Sequence, residues 1–460
     1  MKIVIVGAGN VGYTLASYLL EEGHDIIMVE ADDERAERAE ANLDVLVIRG
    51  NGARPAVLEK AGIKPGTDVD VLVACTGVDE SNILSCLIAK RCGVRRVIAR
   101  SRNLEFTDDS FWAESLGIDY MISPERSIAK EIEHVLRVKP STHYLELADG
   151  RALLYSMKVS PTSPMVSKSL REVGRANPGL RVNVVLVERE GEEIVPNGDT
   201  VVQAEDILYL VTTREHVKRL EELFLGGKSK PLRRVVIVGG GKIGYRLAMQ
   251  LESSREELEI KIIEKNPDKC MRISQELSKT MVINGDGTDL ATLEAEEVGG
   301  ADAFITTTQQ DEVNLLSAAL AHSLGTEKSI AVVRKMDYMK LVDHLPLSSI
   351  INFYESMVSS ILSEIRSFSG RASRVSILED VESSVLEIEA EAGAPAVGVP
   401  LREAKLPKGV ILACILKKSG EIVIPRGDDV VEPGDRVTSF VSDELLDRAR
   451  QLFSRRAKAA

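Results

Sequence analysis

Gly7, Gly9 and Gly12 stand at GxGxxG spacing inside GAGNVG, directly after the short apolar run Lys2–Val6. Glycines so spaced let backbone N–H groups reach a pyrophosphate. The first permits a tight turn, the second a close approach of phosphate, and the third close packing of helix on strand. Glu30 ends the next apolar run, IIMVE. A carboxylate there accepts hydrogen bonds from both ribose hydroxyls of an adenosine and repels a 2′-phosphate, so NAD(H) is expected over NADP(H). The set returns in the second half as Gly239, Gly241 and Gly244 in GGGKIG, with Glu264 ending IKIIE. Lys242 and Lys265 stand there where the first half has Asn10 and Ala31. Their charge predicts that the second pocket tolerates more anionic nucleotides.

Further loops complete each candidate pocket. Thr76-Gly77 and their counterparts Thr308-Gln309 follow a fourth strand, at the carboxyl end of a parallel sheet where ligands bind. Arg100 and Arg334 end the fifth strands, where a guanidinium pairs with a diphosphate or with an acid on a neighbouring subunit. Asn51 and Asp286 lie in the loops after the third strands. For Asp286 a plain turn is the simpler role, and an adenine or cation contact the other. With Ala8, Asn10, Val11, Gly240, Lys242 and Ile243 from the glycine loops, these residues form the candidate cofactor-binding set.

No catalytic set accompanies them. None of the six histidines (His24, His134, His143, His216, His322 and His344) falls in a strand-end loop beside a carboxylate suited to proton relay. GxSxG, GxxxxGK[ST] and HExxH are absent. The five cysteines show no CxxC pairing, so neither a zinc site nor any other metal is expected. A formal charge of −13 disfavours nucleic acid as a partner. No run approaches the roughly 20 apolar residues of a membrane span. A regulator is therefore expected and not an enzyme. The alternatives are an NAD-dependent dehydrogenase or reductase, and a dinucleotide sensor acting on a cytosolic protein.

The elements that would position these residues alternate. Strands at Lys2–Val6, Ile26–Val29, Val45–Ile48, Asp70–Ala74, Arg96–Ala99 and Tyr120–Ile122 are separated by helices near Val11–Glu22, Glu34–Leu43, Arg54–Ala61, Glu80–Arg91 and Phe106–Leu116. That order predicts a parallel sheet covered on both faces. It recurs from Gly239 at a nearly constant offset, carrying Asp79-Glu80-x-Asn82 onto Asp311-Glu312-x-Asn314. Each unit precedes a module of short strands broken by Gly, Asp and Pro, in which Val195–Asp199 matches Ile424–Asp428 and Ala204–Asp206 matches Pro433–Asp435. The expected class is α/β, with two Rossmann-like parallel-sheet domains at 1–137 and 232–368. A small α+β domain follows each, at 138–225 and 369–453. Leu225–Arg234 reads as the linker, and Ser454–Ala460 as a frayed tail. Two apolar helices, Pro124–Leu136 and Pro346–Ile365, are expected after the sheets, either packed on their own domains or pairing Rossmann-like units across a dimer interface.

GAGNVG with Glu30, Asn51, Asp79-Glu80-x-Asn82 and Arg100, followed by a small β-rich domain, resembles the RCK (or KTN) regulators of potassium conductance. The tandem order is similar to that of peripheral subunits of Trk-type potassium uptake systems. The resemblance implies a protein that is cytoplasmic and peripheral on the inner face of the cell membrane. It implies binding of NAD(H), with ATP or ADP at one or both sites, through Gly7–Gly12, Glu30, Thr76, Arg100, Gly239–Gly244, Glu264, Thr308 and Arg334. It implies a homotetrameric ring beneath a TrkH-like membrane potassium-translocating subunit. Asn51 departs from the family, where an Asp is common.

Overall fold

The computed structural model describes the chain except residues 109, 139–140, 149, 229–230, 255–256, 340–344, 370–372, 376–382 and 455–460. Most of the expected tail and two linker positions lie outside the described residues.

Strands β1 (Lys2–Val6), β2 (Asp25–Glu30), β3 (Leu46–Arg49), β4 (Val71–Ala74), β5 (Arg96–Arg100) and β6 (Tyr120–Ile122) form a parallel sheet in the order β3-β2-β1-β4-β5-β6. The order reverses between β1 and β4, which opens a crevice at their carboxyl ends. Helices α1 (Asn10–Glu21), α2 (Asp33–Asn42), α3 (Pro55–Lys60) and α4 (Asp79–Cys92) make the crossovers. Where a helix is expected over Phe106–Leu116, helix is found at Leu104–Asp108 (α5) and Ser110–Ser115 (α6), residue 109 between them lying outside the described residues. α7 (Pro124–Arg137) follows β6.

An antiparallel sheet comes next, of β7 (Ser141–Leu147), β8 (Ala152–Lys158), β9 (Val182–Arg189), β10 (Glu192–Ile194) and β11 (Ile207–Thr212), with helices α8 (Leu170–Ala176) and α9 (Val217–Leu225). The second half repeats the plan. Its parallel sheet comprises β12 (Arg234–Val238), β13 (Glu259–Glu264), β14 (Met281–Asn284), β15 (Ala303–Thr306), β16 (Lys328–Val333) and β17 (Ser349–Asn352). The order β14-β13-β12-β15-β16-β17 matches that of the first sheet. Its helices are α10 (Lys242–Glu252), α11 (Pro267–Glu276), α12 (Leu290–Ala295), α13 (Asp311–Leu324) and α14 (Phe353–Ser369). Strands β18 (Ser373–Val375), β19 (Ser383–Glu389), β20 (Val410–Leu416), β21 (Ile422–Val423) and β22 (Arg436–Ser442) make the last sheet, and α15 (Leu446–Phe453) closes the described chain.

The helix expected over Pro346–Ile365 is corrected in one respect. Ser349–Asn352 pairs in parallel with Ile330–Val333 as the edge strand β17, and the helix begins only at Phe353. Two adjacent isoleucines beside an open sheet edge bury both faces better as strand than as helix.

The chain folds as two compact units, one of residues 1–133 and 232–369, the other of residues 134–231 and 370–460. In the first, each parallel sheet buries alternate residues on opposite faces. Val4 and Val6 meet Leu58, Leu72 and Ala89 on one side, while Ile3 and Ile5 meet Leu15, Leu19 and Ile98 on the other. The second side is completed by the opposite half of the chain. Met357, Val358, Ile361, Leu362 and Ile365 of α14 are each at most 2% exposed and belong to this first-half core. Arg96 (2.6 Å to Glu364) and Tyr18 (3.3 Å to Glu355) fasten the helix at its margins.

α7 and α14 meet in a two-fold pattern. Ser127, fourth in α7, contacts Ser360, eighth in α14, at 3.2 Å. Ser356, fourth in α14, bonds to Glu131, eighth in α7. The apolar stripes thus pair the two Rossmann-like units within one chain. Ile128, Ile132 and Val135 are fully buried, so these stripes do not themselves call for a partner chain.

In the second unit the two antiparallel sheets share a core, with Leu154, Leu186 and Val211 against Val385, Cys414 and Phe440. The matched Asp206 and Asp435 have one structural role. Each is 1% exposed and paired with a cation on a neighbouring strand, Arg189 at 2.8 Å and Lys417 at 2.8 Å. Each follows a residue of positive φ, Glu205 and Gly434.

Ile361→Ala should lower the stability of the first unit by about 2–5 kcal/mol, the cost of a cavity in a packed core. Chemical denaturation of the full chain, followed by far-UV dichroism, checks this. Burial pushes the Glu131 carboxyl up to about 7, against the Ser356 hydrogen bond that lowers it. The folded chain therefore holds that proton more tightly than the unfolded chain, and stability falls as pH rises from the ordinary glutamate range through about 7. Glu131→Gln should stabilise the protein by about 1–3 kcal/mol at pH 8 and lose that advantage below pH ~5. Denaturation midpoints of both proteins across this range test the sign.

Candidate nucleotide-binding crevice

Both glycine loops take the conformation that their spacing predicts. Gly7 has φ 107° and Gly239 φ 99°, in the left-handed region. A Cβ on Gly12 would lie 1.8 Å from the Gly7 carbonyl oxygen, and one on Gly244 would lie 2.0 Å from that of Gly239. No side chain larger than hydrogen fits at either third position. α1 and α10 begin directly after Gly9 and Gly241 without a side-chain cap, leaving their first N–H groups for another acceptor.

The two acidic residues are buried and held by the glycine loops themselves. Glu30 accepts from the N–H groups of Ala8 (2.5 Å), Ala31 (2.7 Å) and Asp32 (2.9 Å). Glu264 accepts from those of Gly240 and Asn266, both at 2.8 Å. Each carboxylate is thereby fixed beside its glycine turn with lone pairs left for a ribose.

The repeated Asp-Glu-x-Asn motif shapes the crevice from behind. Asn82 is fully buried and accepts from the Thr76 N–H (2.9 Å) and hydroxyl (2.7 Å), while its amide donates to the Arg100 carbonyl (2.9 Å). Asn314 does the same for Thr308 (2.9 and 2.6 Å) and the Val332 carbonyl (2.7 Å). Asp79 accepts from the N–H groups of Arg102 and Asn103, and Asp311 from those of Arg334 and Lys335. One helix start thus sets both strand-end loops, which is why the motif recurs with the fold.

The two crevices open into one cavity of about 720 Å³. The first half supplies Gly7, Ala8, Gly9, Asn10 and Val11, with Glu30, Thr76, Gly77 and Arg100. The second supplies Gly241, Lys242, Ile243, Gln309 and Arg334. Gly239, Gly240, Glu264 and Thr308 stand in the second crevice but not on the cavity wall, and Asn51 and Asp286 lie off it. Asn51 and Asp286 act as turn residues, accepting from the N–H groups of Ala53 (2.8 Å) and Thr288 (3.0 Å).

Several lining residues escape the motif reading. Arg35 and Arg38 reach the cavity from α2, one helical turn apart, and Arg102 stands two residues beyond Arg100. Glu125, Phe353 and Tyr354 come from the starts of α7 and α14. The i, i+3 arginines in DERAER were a usable signal. The residues from α7 and α14 were not, because their position depends on how the halves pack.

The two crevices differ in charge pairing. Arg100 is 7% exposed, and its Nε has no hydrogen-bond partner. Burial, with Arg102 nearby, lowers its pKa. Arg334 does not stand at the matching place, contrary to expectation: it follows the end of β16 and corresponds to Arg102, while Val332 corresponds to Arg100. Arg334 donates to the Thr308 carbonyl (3.0 Å), lies 3.7 Å from Asp311 and stacks 5.0 Å over Phe353. Lys265 is paired with Asp286 at 2.7 Å, which holds that carboxyl down at about 2, and Lys242 donates to the Arg102 carbonyl (3.1 Å) across the cavity. The extra positive charge expected for the second pocket is therefore committed to neighbours. Cys75 lines the cavity with its thiol pushed up to about 12 by burial, which leaves it protonated.

Glycine loops that admit no side chain, a fixed carboxylate and a buried, partly unpaired guanidinium fit the pyrophosphate and ribose of an adenine dinucleotide. The TrkA-N domain matches residues 3–124 and 235–353, and the TrkA-C domain matches 154–225 and 385–454. The Trk system potassium uptake protein TrkA homolog 1 of Methanosarcina mazei is 33% identical over 462 residues, covering 98% of this chain and 100% of that protein. The Trk system potassium uptake protein TrkA of Halomonas elongata is 32% identical over 452 residues, 96% of each chain. The crystal structure of the GsuK RCK domain superposes with a TM-score of 0.60 at 19% identity, over 98% of this chain and 94% of that one. The GsuK channel bound to NAD does so at the same score over 78% of its own chain. At that identity the likeness is one of fold. With both pairs of domains matched and relatives spanning its whole length, the chain belongs to the TrkA family of Trk system potassium uptake proteins.

Proposed function

We propose that this chain is a nucleotide-sensing regulatory subunit that gates a TrkH-like membrane potassium-translocating partner. NAD(H), or ATP or ADP in its place, would bind in the shared cavity and be read out as a change in how the two Rossmann-like units meet. The observation that carries the reading is Arg100, a buried guanidinium with an unpartnered Nε beside a glycine turn and the fixed Glu30. Two relatives bear the name of a potassium uptake protein, and one structural neighbour is a channel bound to NAD. The titratable groups on the cavity wall are arginines, one lysine, Glu30, Glu125, a protonated thiol and Tyr354. That set suits binding better than proton relay, and supports a regulator over a dehydrogenase.

The domain limits 1–137, 138–225, 232–368 and 369–453 are kept as part of the proposal; the first three bracket the matched segments, and the fourth stops one residue short of its match at 454. Among the described residues no helix is long and apolar enough to cross a membrane. The proposed location is cytoplasmic, peripheral on the inner face of the membrane, in a homotetrameric ring. A ligand controls such an assembly through its different affinities for two conformations, and about 1–3 kcal/mol of coupling per site is the usual scale.

Two outcomes are expected. When the purified chain is reconstituted with its membrane subunit in vesicles, potassium flux should change several-fold on adding NADH. Steady NADH turnover with small carbonyl substrates, without any effect on flux, would show a dehydrogenase instead. Glu30→Ala should weaken NADH binding by about 1–3 kcal/mol through loss of charge-assisted hydrogen bonds and narrow the preference over NADPH. Calorimetry of both ligands, with dichroism to confirm folding, measures the two effects, and unchanged affinities would remove the ribose assignment.

A further inference from the structure

The duplicated motif suggests two nucleotide sites per chain. We infer that the chain instead holds one adenine dinucleotide, seated in the first crevice, and that the second crevice has become the far wall of that same site. The inference rests on the proposed nucleotide reading and adds to it the stoichiometry and the division of labour between the repeats.

Three observations carry it. The first is volume. Both glycine loops face a single cavity of about 720 Å³, a size in the range of about 300–1,000 Å³ that holds one bound small molecule. The second is lining. That cavity reaches Glu30, Thr76 and the full first turn Gly7–Val11, but it takes only Gly241, Lys242 and Ile243 from the second turn and does not reach Glu264. The carboxylate that would hold a second ribose therefore lies outside the shared space.

The third is charge. In the first crevice the arginine at the end of the fifth strand is 7% exposed with Nε unsatisfied. A buried donor without an acceptor is costly, so an anion arriving there gains what the apo protein lacks. The residue at that place in the second half is Val332, and the nearby Arg334 already has the Thr308 carbonyl, Asp311 and the Phe353 ring. Lys265 is closed off by Asp286. Lys242 points away from its own crevice and reaches the Arg102 carbonyl in the first half. A ligand in the first crevice would find Lys242 opposite it, at the distance where it now meets a carbonyl oxygen. The second half thus offers a cation to its neighbour's ligand and has a valine where the first half has its buried guanidinium.

The test is calorimetry with NADH on the full-length chain. One NADH per chain is expected, as a single class of sites. Arg100→Gln should weaken that binding at least tenfold and leave no residual site of the original affinity. Lys242→Gln, an exposed change with little risk to folding, should weaken the same single event several-fold although it lies in the other repeat. Two equivalents of NADH per chain, or a full-affinity site surviving in Arg100→Gln, would overturn the inference and leave the nucleotide reading intact. No NADH binding by the unmodified chain would overturn that reading, and the inference with it.

Discussion

The architecture depends on α14 lying in the core of the other half. Five apolar side chains of that helix fill the face of a sheet built from the first residues of the chain. Burying each such side chain contributes roughly 1.5–3 kcal/mol, so the first Rossmann-like unit is not complete without the second half. The same packing holds together the two halves whose crevices share the cavity. Residues that no motif marks, Phe353 and Tyr354 at the start of α14 and Glu125 at the start of α7, reach the cavity through it.

Within each crevice the precision comes from buried amides and carboxylates that contact no ligand position. Asn82 and Asn314 are completely buried and satisfy the loops on both sides of them. A buried amide with all its partners in place is rigid, because any movement leaves a polar group unpaired in a dry interior. Arg100 and Arg334 differ because they occupy different places. The Asn82 amide donates to the Arg100 carbonyl where that of Asn314 donates to Val332, and Asp79 accepts from the Arg102 N–H where Asp311 accepts from that of Arg334. The second half therefore has a valine where the first has its buried guanidinium.

Much of this was legible in the residues. Glycine spacing, the acid ending the second strand and the alternation of apolar runs are local signals, and the glycine turns, Glu30, Glu264 and both parallel sheets follow from them. The duplication was legible too, down to the matched Asp206 and Asp435. What escaped depends on distant packing. Ile350 and Ile351 read as helix because a short apolar run has no period of its own, and only the open edge beside Ile330–Val333 makes it a strand. The stripes on α7 and α14 left packing on their own domains and pairing across a dimer interface both open, and α14 packs on the other half of the same chain. Lys242 and Lys265 counted as free charge in the sequence, whereas Asp286 and the Arg102 carbonyl claim them in the fold.

The crossing of α7 with α14 bears on how such a chain could evolve. Were two copies of the first half to pair symmetrically, the serine at the fourth helical position would meet the glutamate at the eighth twice, and two carboxyls would be buried at one seam. In the tandem chain the second half carries Ser360 where the first carries Glu131, so only one of the two crossings holds an acid. A homodimer must accept every substitution in duplicate. A covalent tandem need not, and its halves are free to become unlike partners, as a lock and its frame are unlike while still fitting.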